Sequence, residues 1–429
     1  MRFSTLAAWL DWQAGLNPRE IDLGLDRVAA VWDRLGAPPL NAAVITVAGT
    51  NGKGSSVAFA EAILRAAGYR CGCYSSPHLL TYNERIRVDG RLADDRSICA
   101  AFERIDQARG DTALTYFEFG TLAALLLFAD ARLDAVVLEV GLGGRLDAVN
   151  LMDPDVALIT NIALDHQAWL GDDIESIGFE KAGILRAGRP AVFSGRAIPD
   201  SIRSRAAELG VNLRVSGEDY RIERKADQWA LIADGSRRRS LPMPGMRGAI
   251  QIDNAAGAIM ALDCIADRLP IEQAAVRAGL IEARVAGRFE VRPGQPTWVL
   301  DVAHNPQAAG VLAAMLGDYF VRGSTIAVCG MLDDKDAAGV AEVLKPRFDS
   351  WHLVDLSSQP RGLGAGQLAE RMATVLDPDK VQLDHSVDAA LAHVADTCGP
   401  DDLIVVFGSF LTVGAAMQWL DGNATKASA

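Results

Sequence analysis

The stretch Val44-Ile-Thr-Val-Ala-Gly49-Thr-Asn-Gly52-Lys53-Gly54-Ser55-Ser56 joins an apolar, β-branched run to a glycine-lysine-glycine-serine turn. Those residue types suit the binding of a nucleoside triphosphate. Glycines let successive backbone N–H groups face phosphate oxygens, a following helix adds its partial positive N-terminus, and Lys53 supplies a point charge for the terminal phosphates. Ser55 falls where a P-loop hydroxyl meets Mg²⁺. Val57, Ala60, Ile63, Leu64 and Ala67 recur at helical spacing, and Gly68 is placed to end that helix. The loop is a variant: only Thr50 and Asn51 separate Gly49 from Gly52-Lys53, where the common pattern has four residues.

Further chemistry clusters after the next apolar runs. Asp134-Ala-Val-Val-Leu-Glu139 ends a strand-like segment in a carboxylate and continues into Gly-Leu-Gly-Gly144-Arg-Leu-Asp147. A strand end beside a phosphate loop is where an Mg²⁺ ligand belongs, although a surface glutamate closing an ordinary strand fits the segment about equally well. Val156 to Thr160 leads to Asn161-Ile-Ala-Leu-Asp165-His166. His166 is the candidate histidine, yet hard cations favour oxygen, so its assignment to a metal needs other support. In Ile177-Gly-Phe-Glu180-Lys181-Ala-Gly183, Lys181 reads either as a snorkelling surface lysine or as a buried one. A buried, neutral amine can take up carbon dioxide as an anionic carbamate. Tyr74-Ser75-Ser76-Pro77-His78-Leu79 and Asn83-Glu84-Arg85-Ile86 form a polar loop with a proline-fixed turn, functional or an ordinary Ω-loop.

The elements that position these groups follow from periodicity. Arg70 to Tyr74, Asp134 to Val140, Val156 to Thr160 and Pro190 to Ser194 read as strands alternating with helices, the pattern of parallel βαβ units. Between Val211 and Ser240 short alternating stretches broken by Gly217 and Asp234-Gly235 predict a small antiparallel patch, and a helix is expected from about Asn254 to Arg268. Gly287, Pro293, Gly294 and Pro296 mark a boundary near Arg288. A second strand-helix series follows, with strands at Trp298 to Val302, Thr325 to Gly330, Trp351 to Asp355, Val381 to Leu383 and Leu403 to Phe407. The expected fold class is therefore α/β: a P-loop-type, mainly parallel sheet domain over residues 1–287, with a small antiparallel patch, and a smaller Rossmann-like α/β domain over 288–429. The polar tail Asp421 to Ala429 is expected to be mobile.

Bulk composition agrees with a cytoplasmic enzyme. With 429 residues, half of them hydrophobic, the chain can bury a large core. Six scattered cysteines without CxxC spacing suit a reducing compartment, and no basic-then-apolar leader precedes the segment Ser4 to Trp12. The longest apolar run, Leu122 to Ala129, is far short of the ~20 residues that span a bilayer. A net charge of −13 argues against a nucleic-acid surface.

Taken together, the segments resemble the folylpolyglutamate synthase and dihydrofolate synthase family, relatives of the peptidoglycan Mur ligases. The resemblance rests on Gly49 to Ser55, Ser75 to Leu79, Asn83 to Ile86, Thr115-Tyr-Phe-Glu118, Glu139 to Ala148, Leu164-Asp-His166, Glu180 to Gly183, Gly287-Arg-Phe289, Asp301-Val-Ala-His-Asn-Pro306, Asp334-Lys-Asp336 and Gly408-Ser-Phe410. It is closest to the bifunctional bacterial form, which also carries a segment like Ile21-Asp-Leu-Gly-Leu25.

By that resemblance Gly49, Thr50, Asn51, Gly52, Lys53, Gly54, Ser55 and Ser56 hold ATP phosphates, and Ser76, Glu139 and His166 ligate Mg²⁺. Lys181 matches a lysine carbamylated in the family, so Lys53, His166 and Lys181 are the catalytic candidates. Asn254, Arg288 and Asp301 would close on ATP from the second half of the chain, with domain closure excluding water. Asp22, Leu23, Gly24, Thr115, Phe117, Glu118, Leu146, Asp147 and Ala148 fall where the family holds its pterin substrate, and His304 and Ser409 are candidates for the incoming L-glutamate. The implied reaction joins L-glutamate to dihydropteroate and to reduced folates through an acyl phosphate. A monomer is expected, with no nucleic-acid or membrane partner. The alternatives are a monofunctional folylpolyglutamate synthase, a muropeptide ligase of the same superfamily, and, from a different class, a nucleotide-dependent switch. The last lacks an Asn-Lys-x-Asp guanine-reading segment.

Overall fold

The computed structural model describes residues 2–19, 21–234 and 236–427, with side chains described over the same range except at 236 and 424–427. The chain forms two compact units. The larger comprises Met1–His78, Tyr82–Leu164 and Leu170–Arg284; the smaller comprises Leu79–Thr81, Asp165–Trp169 and Val285–Ala429. The second short excursion matters chemically, because it carries Asp165 and His166 into the smaller unit.

The larger unit is built on an eight-stranded sheet. Its order is Arg91–Leu92, Ile86–Val88, Cys71–Tyr74, Ala135–Glu139, Ala43–Ala48, Val156–Ile159, Pro190–Phe193 and Asn212–Val215. The last six run parallel, and the first two add antiparallel. Ala43–Ala48, Ala135–Glu139 and Val156–Ile159 are buried at every position. Covered on both faces, such strands need continuous apolar runs rather than alternation, which is how they read in the sequence. The helix Lys53–Ala66 buries residues 55–64 and packs against the helices Ile250–Asp263 and Gln273–Glu282. Gly279 allows the last of these crossings, since a Cβ there would lie 2.6 Å from the Ile63 backbone.

The antiparallel patch is a separate three-stranded sheet of Tyr220–Arg224, Gln228–Ala233 and Ser236–Pro242. Asn212–Val215, inside the region expected to be antiparallel, instead joins the main sheet as its parallel edge strand. The expected helix from Asn254 begins earlier and ends earlier, at Ile250–Asp263.

The smaller unit carries a six-stranded sheet in the order Glu290–Arg292, Thr297–Leu300, Leu403–Phe407, Thr325–Cys329, Ser350–Val354 and Val381–Asp384. Five strands are parallel, and Glu290–Arg292 adds an antiparallel edge that the glycine-proline-rich sequence concealed. The helix Phe410–Ala427 continues through most of the tail expected to be mobile. Residues 428 and 429 of that tail, like Gly235 of the expected turn, lie outside the described residues. No described helix is long and apolar enough to cross a membrane.

Candidate active site

The loop after Ala43–Ala48 is held by sterics and backbone hydrogen bonds. Gly49 has φ 145° and Gly52 has φ 85°. A Cβ at Gly49 would strike the Thr160 hydroxyl, and one at Gly52 would strike the Asn254 side chain, so neither position admits another residue without displacement. The Thr50 amide donates to the Asn161 carbonyl at 2.9 Å and the Asn51 amide to Asn161 Oδ1 at 3.0 Å. Thr160 Oγ1 donates to the Asn51 carbonyl at 2.7 Å. The neighbouring strand end thus clamps the loop, and Gly52 sits at the N-terminus of the helix Lys53–Ala66. Lys53 Nζ curls back onto the Gly49 and Thr50 carbonyls, at 2.9 and 3.2 Å.

Three expected metal-site groups, Ser76, Glu139 and Lys181, lie in this unit. Glu139 ends its strand buried, with Oε2 3.4 Å from the Ser76 amide. Lys181, one residue from the end of the helix Ile174–Ala182, is 4% exposed. The snorkelling alternative is therefore excluded. Its Nζ donates to the Gly49 carbonyl at 3.1 Å, tying the buried lysine to the phosphate loop. Asn254 is also buried, on Ile250–Asp263, and donates to Gln251 Oε1 at 3.1 Å.

The residues expected to hold a pterin are brought together in part. The Gly24 amide donates to the Leu146 carbonyl at 3.1 Å, joining Asp22-Leu23-Gly24 to the turn after Glu139. Arg27 bridges Asp22, at 2.9 Å, and Glu118, at 3.1 Å. Arg27 is not marked by the sequence as a site residue, although it stands five residues after Asp22 with the opposite charge. Glu118 and Thr115 form a capping box on the helix Tyr116–Asp130: Glu118 Oε2 accepts from the Thr115 amide at 2.7 Å, and Thr115 Oγ1 accepts from the Glu118 amide at 3.2 Å. Both are buried; their contacts with each other are those of a helix start, and Glu118 pairs with Arg27 besides. Phe117 stays half-buried, its ring 5.8 Å from Tyr74. Asp147 is buried beside buried Ala148 and accepts from the Leu142 and Val149 amides, both at 2.9 Å. Burial pushes its carboxyl up to about 6 despite those amides and the positive charge of Lys53. In the adjoining polar loop, Arg85 Nε donates to His78 Nδ1 at 2.8 Å while its guanidinium lies over Tyr82 and Tyr116. Burial and Arg85 depress His78 to about 4, so it is a neutral acceptor.

The smaller unit gathers a network of charge. Asp165 Oδ1 accepts from Lys335 Nζ at 2.6 Å, and Asp165 Oδ2 accepts from Asn305 Nδ2 at 3.0 Å with His304 Nε2 3.5 Å away. Lys335 Nζ is 3.4 Å from His166 Nε2, while His166 Nδ1 is 3.5 Å from Asp334, which also meets Arg361 at 3.3 Å. His166 adopts φ 53°, a left-handed conformation that aims its ring into this network. Burial would raise the Asp165 carboxyl, but His304, Lys335 and His166 outweigh it and hold it far below the usual carboxylate range. Nothing in Asp334-Lys-Asp336 marks Lys335 as a site residue by itself; a lysine among acids reads as a solvated surface until the fold sets Asp165 against it. Asp301 accepts from the Phe289 and Ala303 amides, both at 2.8 Å, and burial raises its carboxyl against the pull of Arg288. Arg288 lies over the Phe410 ring. Ser409 is buried, its hydroxyl accepting from the Thr412 amide at 3.1 Å at the start of Phe410–Ala427.

Comparison with known proteins accounts for both units. The Mur ligase middle domain matches residues 47–261, and the Mur ligase glutamate ligase domain matches 287–410. The dihydrofolate synthase/folylpolyglutamate synthase of Escherichia coli is 44% identical over 420 residues, covering 98% of this chain and 96% of that protein. The chain belongs to the dihydrofolate synthase/folylpolyglutamate synthase family. Among solved members of this family, E. coli FolC in complex with DHPP and ADP superposes with a TM-score of 0.92 at 42% identity, covering 98% of this chain and 99% of that one. A bifunctional folylpolyglutamate synthase/dihydrofolate synthase with Mn, AMPPNP and L-glutamate bound superposes with a TM-score of 0.89 at 44% identity, over 97% and 98% of the two chains. The family fold, a large mainly parallel domain followed by a smaller α/β domain, is the one expected from the strand-helix alternation.

Proposed function

We propose that this protein is an ATP-dependent ligase that adds L-glutamate to dihydropteroate and to reduced folates in the cytoplasm. The observation that carries the reading is the variant phosphate loop with a buried lysine bonded to its first glycine, Lys181 Nζ to the Gly49 carbonyl. End-to-end similarity to relatives that carry both synthase names supports it.

The chemistry follows from the inertness of a carboxylate. The substrate carboxylate attacks the γ-phosphorus of ATP and ADP leaves, giving an acyl phosphate. The glutamate amine then attacks the acyl carbon, and phosphate departs from the tetrahedral intermediate. Gly49 to Ser56 orient the triphosphate, and Lys53 exchanges its carbonyl partners for phosphate oxygens as negative charge moves to the leaving group. Glu139, the Ser76 hydroxyl and a carbamylated Lys181 would supply the hard oxygen donors that Mg²⁺ prefers, and the family pattern would add His166. The ion, when bound, neutralises phosphate charge. Phe117, Asp147 and the Asp22 to Gly24 segment would receive the pterin, and His304 and Ser409 would serve the incoming glutamate.

The test is purified protein with ATP, L-glutamate and either dihydropteroate or tetrahydrofolate, products read by mass. One added glutamyl residue on both substrates is expected. Extension of tetrahydrofolate alone selects the monofunctional reading, and turnover of a muropeptide precursor instead overturns both. Lys181→Ala should abolish activity, and intact wild-type protein should carry the mass of one carboxyl group, lost on acidification. A fully active variant removes the carbamate.

A further inference from the structure

The three-stranded sheet has two unlike faces. Tyr220, Trp229, Leu231, Ala233 and Leu241 are buried on the inner one, where Arg224 pairs with Asp253 and Arg238 with Asp263 at 2.6 Å. Those two arginines serve the packing of the sheet on the helix Ile250–Asp263. The alternate residues face outward and line an open groove of about 410 Å³ that includes Arg221, Lys225, Arg237 and Arg239, all exposed. Glu223 is the one carboxylate there, 3.0 Å from Arg221. Among the described residues no carboxylate lies within ion-pair distance of Lys225, Arg237 or Arg239. The face therefore carries a net charge of about +3 on a chain whose total is −13. Chance scatter of charge on so acidic a protein does not favour four cations on one side of three short strands.

We infer that this outer sheet face is a binding surface for an extended polycarboxylate, the γ-linked oligoglutamate chain. The inference rests on the proposed function, which supplies that polyanion as its own product. Charge complementarity selects the occupant. A γ-glutamyl chain carries one carboxylate per residue, and three arginines offer planar forks that pair with carboxylates bidentately. The groove is open, and the central strand contributes Gln228, Ala230 and Ile232 to it, none of them charged, which suits a slender flexible chain without a bulky recognised group. Binding there would be weak, tolerant of length above a few residues and strongly salt-dependent, as exposed ion pairs are. It would keep long-chain products beside the enzyme without a contact to the phosphate loop.

The experiment is fluorescence anisotropy of a labelled hexa-γ-glutamate peptide lacking any pterin, titrated with the full-length protein without ATP. Saturable binding at about 50 mM salt is expected, weakened severalfold at about 300 mM. The double variant Arg237→Glu, Arg239→Glu should lose at least about tenfold in affinity while retaining ATP-dependent ligation and its thermal transition. Should that variant fold poorly, Arg237→Gln with Arg239→Gln gives the same reading with a smaller loss. No binding by the wild-type protein, or equal binding by the variants, overturns the inference. Tighter binding of a single-stranded RNA of matched charge overturns it in favour of nucleic acid, and variant-sensitive self-association in sedimentation overturns it in favour of a second copy. Because the titration uses neither ATP nor folate, its failure leaves the proposed ligase activity standing, and failure of the ligase assay leaves the titration interpretable.

Discussion

The phosphate loop of the larger unit and the charged network of the smaller one achieve precision by opposite means. Around Gly49 and Gly52 the geometry is set by what does not fit: a Cβ at either position meets Thr160 or Asn254, and backbone amides complete the clamp. Around Asp165 the geometry is set by attraction, with a buried carboxylate holding Lys335, Asn305 and His304 at once. The glycines and lysine of the first stand at fixed offsets in the sequence, even though the groups that clamp them, Thr160, Asn161 and Asn254, are more than 100 residues away. The second joins positions separated by up to 170 residues and exists only after folding. Steric frameworks tolerate loss of a ligand-facing charge, whereas electrostatic ones fail when either partner is removed.

That contrast is broken most severely at Lys335. Lys335→Met leaves the Asp165 carboxylate buried without its ammonium partner, a change that costs about 3–5 kcal/mol. Urea unfolding should show the loss, and Asp165→Asn combined with Lys335→Met should recover part of it. A Lys335→Met protein as stable as the wild type would mean that the network is too well solvated to matter. Lys53→Ala is the counterpart in the larger unit. Removing this charge should lower kcat about 10²–10³-fold while the urea midpoint stays nearly unchanged, since water can satisfy the Gly49 and Thr50 carbonyls that Lys53 bonds. Equal losses of stability at the two lysines would erase the distinction.

The same contrast explains what could be read in advance. The parallel strands Ala43–Ala48, Ala135–Glu139 and Val156–Ile159 were legible because burial on both faces demands apolar runs, and the loop was legible because glycines at tight turns are irreplaceable. Lys181 was legible only as a choice between surface and interior, which burial settles. Glu118 and Thr115 are linked to the pterin only by the family resemblance, and their capping box belongs to helix initiation, which residue type cannot tell from substrate contact. Lys335 and Arg27 were hidden because an ion pair across distant segments leaves no periodicity. Asn212–Val215 was drawn into the antiparallel patch because a short edge strand with one exposed face alternates in either kind of sheet.

Asp147 offers a smaller effect with a definite sign. Its folded pKa, about 6, lies above the unfolded value, so the native state holds the proton more tightly and stability falls as pH rises from about 4 to about 6. Two pH units of displacement correspond to about 3 kcal/mol, fully developed above pH 6. Asp147→Asn should abolish this slope, so the stability difference between variant and wild type grows in the variant's favour across that window and is flat above it. A difference independent of pH would place the proton elsewhere. Substrate affinity is the complementary readout: weaker dihydropteroate binding by the variant at pH 7 assigns the carboxylate to the pterin.

The smallest effect tests whether a buried hydroxyl can serve both the fold and the substrate. Ser409 Oγ caps the helix Phe410–Ala427 through the Thr412 amide and shares a 2.8 Å hydrogen bond with Thr412 Oγ1, which itself donates to the Gly330 carbonyl at 2.9 Å. Ser409→Ala should therefore cost about 1 kcal/mol, the usual value of such a cap. If the hydroxyl also meets the incoming amino acid, the KM for glutamate rises while that for ATP does not. Ser409→Thr separates the two roles, because it keeps an acceptor for the amide but adds a methyl group in a site that is 3% exposed. Recovery of stability with a persistently high glutamate KM would assign the hydroxyl to substrate. Recovery of both, with glutamate KM following stability through the series, would leave it as the anchor of its helix.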